Sequence, residues 1–351
     1  MLSTMNRVAA IVLLVVSVGG AAVAQEPSTN LISGQAVAVN SRTGKAYAVD
    51  TERGKVLVYD PRTQSMNTVQ VGAGPVALAV DEPADRLYVA NHDAGTVSVV
   101  DGKDDSAIAT IPVGALPYAI AVNPVTNQTF VSNVFSNDIT VIDGATNATS
   151  KIKAESADSI VIDARRDKVY LTAYQGTKLT VLEKTPSIAG HVQVGMHSWG
   201  VAVDDTSGVL YVTRSGDKEL AIINEATDKV TMVPTGAIPC AVAVNRTTNL
   251  VYVVNHDDDS VTVINGETRE PIATVPVGRL PQGIAVDEKA NRIYVANTHA
   301  DSVSVIDGAR NTVVMTMSTG KNPYALAMDS VSGRLFVALF GEPSLAVLKT
   351  N

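Results

Sequence analysis

GIAVDEKANRIYVANTHADSVSVIDG, residues 283–308, is the stretch that decides the fold, because its pattern returns along the whole chain. Its central hexapeptide has a counterpart in each of eight units. The eight copies are KAYAVD (45–50), RLYVAN (86–91), QTFVSN (128–133), KVYLTA (168–173), VLYVTR (209–214), LVYVVN (250–255), RIYVAN (292–297) and RLFVAL (334–339). Self-similarity at a fixed period is the sequence signature of a repeat architecture.

The spacing of the units is nearly constant. An apolar residue marks the strand that precedes each hexapeptide, and successive markers lie 41, 42, 40, 41, 41, 42 and 42 residues apart. The markers are Val39, Val80, Val122, Ile162, Val203, Val244, Val286 and Met328. Such even spacing leaves no room for an inserted domain, so we expect residues 25–351 to form a single domain.

Each unit contains three clear strands and a weaker fourth. In the seventh unit these are GIAVD (283–287), RIYVAN (292–297), SVSVID (302–307) and TVVMTM (312–317). Short runs rich in Val, Ile and Tyr between turn residues are typical of β-strands. The turn between strands one and two is short, as in NPVTN (123–127), and its Asn, Asp or Gly can supply the positive φ of a tight reversal. Neighbouring strands are therefore expected to be antiparallel.

Four short antiparallel strands at this period predict an all-β fold, a β-propeller of eight blades with four antiparallel strands each. One blade cannot bury both of its faces, so the blades must close into a ring. The eighth unit ends at SLAVLKTN (344–351), after its third strand, and we expect STNLIS (28–33) to supply the missing outer strand. The alternative is a seven-bladed ring with a spare partial unit.

The N-terminus indicates export. It carries Arg7, an apolar run over residues 8–18 and the small-residue tripeptide of residues 22–24, so residues 1–24 are predicted to be a signal peptide. The alternative is an uncleaved membrane anchor, but the run is shorter than the ~20 residues that a span needs. We expect a periplasmic or secreted protein, without a membrane span after cleavage, that is a monomer.

The charge balance excludes a general nucleic-acid binder. The chain has 27 Lys and Arg against 35 Asp and Glu, a formal net charge of −8, and no clustered run of basic residues that would neutralise phosphates. Apolar residues make up 46% of the chain, which is ample for a continuous core. Cys240 is the only cysteine, so an intramolecular disulfide is impossible and stability must come from packing.

Three longer strings resemble a known repeat family. They are LYVANHDAGTVSVVDG (87–102), IPVGALPYAIAVNPVTN (111–127) and VPVGRLPQGIAVDEKANRIYVANTHADSVSVIDG (275–308), and they are similar to the YVTN β-propeller repeats of bacterial and archaeal surface and periplasmic proteins. The resemblance covers residues from about 32 to 349, and units four and five depart from it most. It implies exported binding or scaffolding proteins. Because that family has no shared catalytic motif, the resemblance transfers no functional residue.

A candidate site lies where each chain segment enters an inner strand, just after the proline of the VGxxP turn. The residues at this position should ring the mouth of the central channel, and they are Gln35, Val76, Tyr118, Asp158, Trp199, Cys240, Gln282 and Tyr324. His197 lies immediately before the proline position, and Arg279 and Lys321 lie two residues before that position. Aromatic and polar side chains that converge on a concavity are the usual form of a small-molecule site. The predicted ligand-binding residues are therefore Tyr118, Asp158, His197, Trp199, Cys240, Arg279, Gln282, Lys321 and Tyr324. The alternative is that these residues plug the channel or face solvent.

The cysteine and the loop histidines have plainer interpretations. Cys240 starts a strand rich in Val and Ala and is expected to be a small buried residue, rather than a reactive thiol or metal ligand. His92, His256 and His299 follow strand two of their units, with aspartates nearby. His256 and His299 could pair on a transition metal. We expect all three to be solvated turn residues, and we predict no metal site.

The function suggested by these patterns is that of a binding module. The chain has no HExxH, GxSxG, P-loop or CxxCH motif, and no cofactor is predicted. We expect a non-enzymatic binding or scaffold protein that takes a small molecule, peptide or protein partner at the top face. The alternative is an enzyme that resembles lactone-hydrolysing propellers or the haem d1 propeller of nitrite reductase. In that case His197 would be the base or axial ligand, supported by Asp158 and a tyrosine.

Overall fold

The fold is known from a computed structural model that describes residues 35–155, 157–183, 187–341 and 345–350. Within those residues the chain forms thirty-one β-strands and one short 3-10 helix. No helix in this part of the chain has the length and apolar character needed to cross a bilayer. The predicted signal peptide and the predicted closing strand at 28–33 both lie outside the described residues.

The first four blades follow the first four units of the repeat. Blade 1 contains β1 (Val37–Val39), β2 (Ala46–Asp50), β3 (Lys55–Asp60) and β4 (Ser65–Gln70). Blade 2 contains β5 (Pro75–Asp81), β6 (Arg86–Asn91), β7 (Thr96–Asp101) and β8 (Ala107–Pro112). Blade 3 contains β9 (Pro117–Asn123), β10 (Gln128–Asn133), β11 (Asp138–Asp143) and β12 (Thr149–Lys153). Blade 4 contains β13 (Ser159–Asp163), β14 (Lys168–Thr172), β15 (Lys178–Glu183) and β16 (Ser187–Gln193).

The last four blades follow the same order, with the 3-10 helix (Thr298–Ala300) between the second and third strands of blade 7. Blade 5 contains β17 (Ser198–Asp204), β18 (Val209–Arg214), β19 (Glu219–Asn224) and β20 (Lys229–Pro234). Blade 6 contains β21 (Pro239–Asn245), β22 (Leu250–Asn255), β23 (Ser260–Asn265) and β24 (Glu270–Pro276). Blade 7 contains β25 (Pro281–Asp287), β26 (Arg292–Asn297), β27 (Ser302–Asp307) and β28 (Thr312–Ser318). Blade 8 contains β29 (Pro323–Asp329), β30 (Arg334–Leu339) and β31 (Leu345–Lys349).

Each blade is one antiparallel sheet whose spatial order is the order of the chain. Seven sheets have four strands, and the described residues give blade 8 three. The predicted eight-bladed propeller is therefore confirmed. The tight turns between the first two strands also follow the prediction, because one residue of each has positive φ, as at Asp85 (51°), Asn127 (55°) and Gly208 (69°).

The core of the molecule is divided among the junctions between neighbouring blades. Eight clusters of buried apolar side chains are present, and each joins two consecutive blades. The cluster between blades 8 and 1 contains Tyr59 and Phe336, whose ring centroids are 5.5 Å apart. Packing between the first and last blades thus closes the ring, as the exposed faces of an open array would require.

An aromatic residue in strand two lies at the centre of these junctions. Tyr252 of β22 is fully buried and packs against Ile293 and Val295 of the next blade. Its hydroxyl is buried and forms no hydrogen bond with the residues that the structure describes. Phe130 and Phe336 occupy the same position in blades 3 and 8. Packing at the junction therefore depends on the aromatic ring of this residue more than on its hydroxyl group.

The asparagine that ends strand two holds the loop that leads into its own blade. In blade 6, Asn255 Nδ2 donates to Thr262 Oγ1 at 2.9 Å, and Asn255 Oδ1 accepts from the Gly236 N–H at 3.0 Å. A Cβ atom on Gly236 would lie 2.7 Å from Asn255 Cγ, so this Asn–Gly contact requires glycine. In four blades the asparagine is replaced, by Asp50, Ala173, Arg214 and Leu339. Those blades therefore lack this Asn–Gly contact.

The junction between blades 4 and 5 carries a buried pair of carboxylates. At three other junctions the asparagine that ends strand one bonds to the turn residue of the next blade, as Asn245 Nδ2 does to Asn291 Oδ1 at 2.9 Å. Gly208 has no side chain to play that part in blade 5. Glu225 is buried beside Asp163 instead, and Arg166 reaches both, at 2.6 Å from Asp163 Oδ2 and 3.6 Å from Glu225 Oε2.

The charge of Glu225 is poorly compensated. Burial, followed by the charge of Asp163, raises the pKa of Glu225 to about 7, although Arg166 opposes the shift. A carboxyl group whose pKa is higher in the folded state than in the unfolded chain favours folding only while it is protonated. Stability is therefore expected to fall as the pH rises from about 4.5, the ordinary value for Glu, through about 7.

Tyr252 offers a test of the junction packing. Tyr252→Phe should change the free energy of unfolding by less than about 1 kcal/mol, because the ring is kept and the lost hydroxyl has no partner among the described residues. Tyr252→Ala should lower it by about 3–5 kcal/mol because it leaves a cavity between blades 6 and 7. Chemical denaturation measures both values, and equal losses in the two variants would contradict this account.

Glu225→Gln tests the carboxylate pair. The variant should melt at the same temperature as the wild type near pH 4 and at a higher temperature above pH 7, with a gain of about 1–3 kcal/mol. Glu267→Gln is the matched control, because Glu267 lies in the corresponding loop of blade 6 but is exposed. A gain that did not vary between pH 4 and pH 8 would show that burial of the Glu225 charge is not the cause.

Candidate functional site at the channel mouth

The mouth is the end of the central channel where two sets of loops meet. In six blades, all but the first and the fourth, the described loop that leads into the inner strand bonds through its backbone to the loop that joins strands two and three of the same blade. Examples are the N–H of Val134 with the carbonyl of Leu116 at 3.0 Å, and the N–H of His256 with the carbonyl of Ile238 at 3.0 Å. These bonds fix the starts of the inner strands around the axis, so side chains there point toward one another.

A cavity of about 240 Å³ lies inside the mouth. Seven blades contribute one residue each from the predicted ring, and they are Gln35, Tyr118, Asp158, Trp199, Cys240, Gln282 and Tyr324. Apolar residues of the inner strands form the deeper wall, among them Ile160, Val201 and Ile284. Small-molecule sites commonly occupy about 300–1,000 Å³, so this cavity lies just below that range and suits only a small ligand.

Val76 is the one member of the predicted ring that does not line the cavity. It is 1% exposed and packs in the junction between blades 2 and 3, with Ile120 and Val131. Its placement at the mouth was a wrong prediction. The physical reason is that an apolar side chain at a strand start gains more by entering the adjacent junction than by facing a polar channel.

Three other predicted residues lie outside the cavity wall. Arg279 and Lys321 are exposed in the loops that lead into blades 7 and 8. His197 has a left-handed backbone, with φ of 59°, and its ring lies 5.0 Å from that of Tyr174. Because the cavity wall contains none of the three, a direct ligand contact from inside the cavity is not available to them.

Tyr174 is a residue of this site that the sequence analysis missed. Its N–H donates to Asp158 Oδ2 at 2.6 Å, and its ring meets that of Trp199 edge-on at 5.8 Å. It therefore positions two of the cavity residues from behind. The available signal was the departure of unit four from the repeat, since YLTAYQGT (170–177) replaces the pattern seen in YVANHDAGT (88–96).

Asp158 is the only Asp or Glu among the described residues of the cavity wall. Burial raises the pKa of Asp158, and the hydrogen bond from the Tyr174 N–H lowers it in part. Among the residues that the structure describes, Asp158 forms no ion pair. The Asp158 carboxyl group is thus partly desolvated and has no cationic partner in the described wall.

Two tyrosines and a glutamine complete the polar part of the wall. Burial raises the pKa of both Tyr118 and Tyr324, and the nearby Asp158 raises that of Tyr118 further, so both phenols are neutral at physiological pH. Gln35 reaches toward blades 3 and 4, where its Oε1 accepts from the Ile120 N–H at 3.0 Å and its Nε2 donates to the Ile160 carbonyl at 3.4 Å. Gln35 therefore fills part of the channel. At this position the structure agrees with the alternative prediction, in which these residues plug the channel.

Cys240 is a buried residue in the cavity wall. Its Sγ lies 3.7 Å from the carbonyl oxygens of Val254, Pro281 and Gln282. Burial raises the pKa of the thiol to about 12, so very little thiolate exists at neutral pH. The prediction of a small buried residue is confirmed.

The three loop histidines occupy unlike environments. His92 Nδ1 lies 2.8 Å from Asp93 Oδ1 and His256 Nδ1 lies 2.8 Å from Asp257 Oδ1, so each contact stays within one loop. His299 is exposed, but His92 is only 8% exposed, and its expected solvation was a wrong prediction. In the described part of the chain, no three or more His, Cys, Asp or Glu residues come together as possible metal ligands.

The chain is similar in fold to solved propellers of low sequence identity. A chain of hydrazine synthase from Kuenenia stuttgartiensis matches with a TM-score of 0.64 and 17% identity, over 95% of this chain and 99% of that one. The dihydro-heme d1 dehydrogenase NirN, solved in complex with DHE, matches with a TM-score of 0.75 and 10% identity, over 91% of this chain and 72% of that one. At these identities the likeness extends to the fold alone.

Sequence comparison adds no closer relative. No protein-family model matches the chain. No curated protein matches it either. The class that the fold defines is therefore an eight-bladed β-propeller, and its activity has to be argued from the mouth.

The burial of Cys240 gives a prediction for thiol chemistry. The native protein should react with a soluble disulfide reagent at neutral pH at least about a hundredfold more slowly than the denatured chain, because the thiol is both buried and protonated. Release of the coloured thiolate from the reagent follows the reaction, and the denatured chain should release one equivalent. Rapid reaction of the folded protein would show that Cys240 is accessible from the mouth.

Proposed function

We propose that the protein is an exported, non-enzymatic binding propeller that takes a small molecule at the channel mouth. Export rests on the signal-peptide pattern of residues 1–24 and on the resemblance to the YVTN repeats. The binding role rests on the mouth itself. The size of the cavity favours a small molecule over a peptide or protein as the direct occupant.

The observation that carries the proposal is the contrast between the blades and the mouth. The strands repeat nearly the same apolar pattern in all eight blades, whereas the residues that seven blades place in the cavity wall are of unlike chemistry, with only a pair of tyrosines and a pair of glutamines repeated. Three of these residues, Tyr118, Cys240 and Tyr324, also pack in the junctions between blades. A set of unlike aromatic, acidic and amide side chains around one cavity suits an asymmetric ligand.

Binding fits the chemistry of the wall better than catalysis does. The Cys240 thiol is protonated, and the described wall contains no histidine that could act as a base for it or for a bound water. The alternative enzyme function assigned His197 as base or axial ligand. Because the His197 ring packs on Tyr174 outside the wall, that function loses the residue on which it depended.

Trp199 provides a direct test because it is the only tryptophan of the chain and lies in the cavity wall. A library of small cationic, neutral and anionic compounds should contain members that change its fluorescence, with saturation on titration. Gln282→Ala should weaken such a compound by about three- to tenfold through a lost polar contact. Calorimetry measures the affinity of each variant.

Phe135→Leu is the matched control for this test. Phe135 is 60% exposed on a loop at the same end of the ring but outside the cavity wall, so its substitution should leave the affinity unchanged. A compound that bound equally well to wild type and Gln282→Ala but was lost in Phe135→Leu would place the ligand on the outer surface. The absence of any saturable response at Trp199 across the library would contradict the proposal.

A further inference from the structure

We infer that the mouth selects a small organic cation with an ammonium group, held by the Asp158 carboxylate and by the rings of Trp199 and Tyr324. This inference rests on the proposed function, since it names the ligand class for the same cavity. It is carried by three observations on the wall: the sign of its charge, the kind of surface beside that charge and the number of acidic groups.

The charge of the wall is negative and unbalanced. Asp158 is the only carboxylic acid of the described wall, and no Lys, Arg or His contributes to it. The cationic side chains Arg279 and Lys321 are exposed in the loops outside. An anionic ligand would face Asp158 in a partly desolvated site without any countercharge. A cationic ligand would supply the partner that the carboxylate lacks.

Aromatic rings stand beside this charge. Trp199 and Tyr324 line the cavity together with Asp158, and Tyr174 holds Trp199 edge-on from behind. The Tyr324 ring is likewise supported edge-on by Phe340, at a centroid separation of 6.3 Å. Ring faces attract ammonium groups through their quadrupole, and Trp does so best. Rings held in fixed orientations keep that attraction without the entropy cost of ordering them on binding.

A bare metal ion fits the wall less well than an organic cation. Divalent ions require several oxygen or nitrogen ligands, whereas one carboxylate is present and the described residues contain no group of three or more possible acidic, His or Cys ligands. A hydrated ion would also gain nothing from contact with the apolar deeper wall, which contains Val201 and Ile284. Methyl or methylene groups around an ammonium nitrogen would instead be buried against this apolar wall.

Three probes of one shape test the inference. They are choline, its uncharged isostere dimethylbutanol, in which carbon replaces the quaternary nitrogen, and the carboxylate dimethylbutanoate. Calorimetry and Trp199 fluorescence give the dissociation constants. Choline should bind at least about tenfold more tightly than dimethylbutanol, and dimethylbutanoate should bind most weakly.

Asp158→Asn should remove the preference for choline over dimethylbutanol, because the amide keeps an oxygen to accept the Tyr174 N–H but loses the charge. Glu155→Gln is the matched control, since it removes one negative charge from an exposed residue three positions earlier, outside the cavity wall, and should keep the preference. Trp199→Leu, followed by calorimetry, should weaken choline by about tenfold. This second variant carries the test if Asp158→Asn fails to fold.

The outcomes separate this inference from the proposed function. Equal affinity for choline and dimethylbutanol, or an undiminished preference in Asp158→Asn, would overturn the cation selectivity. If a neutral or anionic compound of the library saturates Trp199 while choline does not, the mouth binds small molecules but not this class. If neither the probes nor the library produce a response, the proposed function fails together with the inference.

Discussion

Every blade of this protein has two apolar faces, and the constraint that both must be covered governs the rest of the structure. The repeat supplies an aromatic ring in strand two and branched aliphatic residues around it, so any blade can pack on the next. The junction between blades 8 and 1, with Tyr59 against Phe336, satisfies the last two faces. The junctions hold the ring around its axis, and the wall residues Tyr118, Cys240 and Tyr324 take part in them. A channel results, and its mouth combines these packing contacts with side chains that face a cavity.

The residues at the mouth differ from blade to blade. In four blades, the second, third, sixth and seventh, an asparagine lies against a glycine of the loop at the top of the blade, as Asn255 does with Gly236. The other four blades lack the asparagine, and three of them contribute Asp158, Trp199 and Tyr324 to the cavity wall. The acidic residue and most of the aromatic residues of the wall thus come from blades without this contact. Blades that lack this structural contact thus carry side chains well suited to recognition.

The ring could be predicted from the sequence because its determinants are periodic and local. The period gave eight blades, and the turn residues gave antiparallel neighbours. The position after the VGxxP proline correctly brought seven side chains to one cavity. The failures are contacts that depend on side-chain direction. Val76 turned into a junction and His197 turned onto Tyr174, and spacing alone does not specify either rotation. Tyr174 and the Glu225–Asp163 pair were missed because each involves partners from different units.

The junction between blades 4 and 5 has a consequence for how the chain assembles. In a protein built from eight similar units, an early contact between non-consecutive units is a plausible error, and repeat proteins are prone to such misassembly. Asp163 and Arg166 of blade 4, with Glu225 and Gly208 of blade 5, form a contact whose chemistry differs from the Asn–Asn and Asn–Asp pairs of other junctions. Where the apolar faces are nearly interchangeable, such a difference in polar groups distinguishes one junction from another.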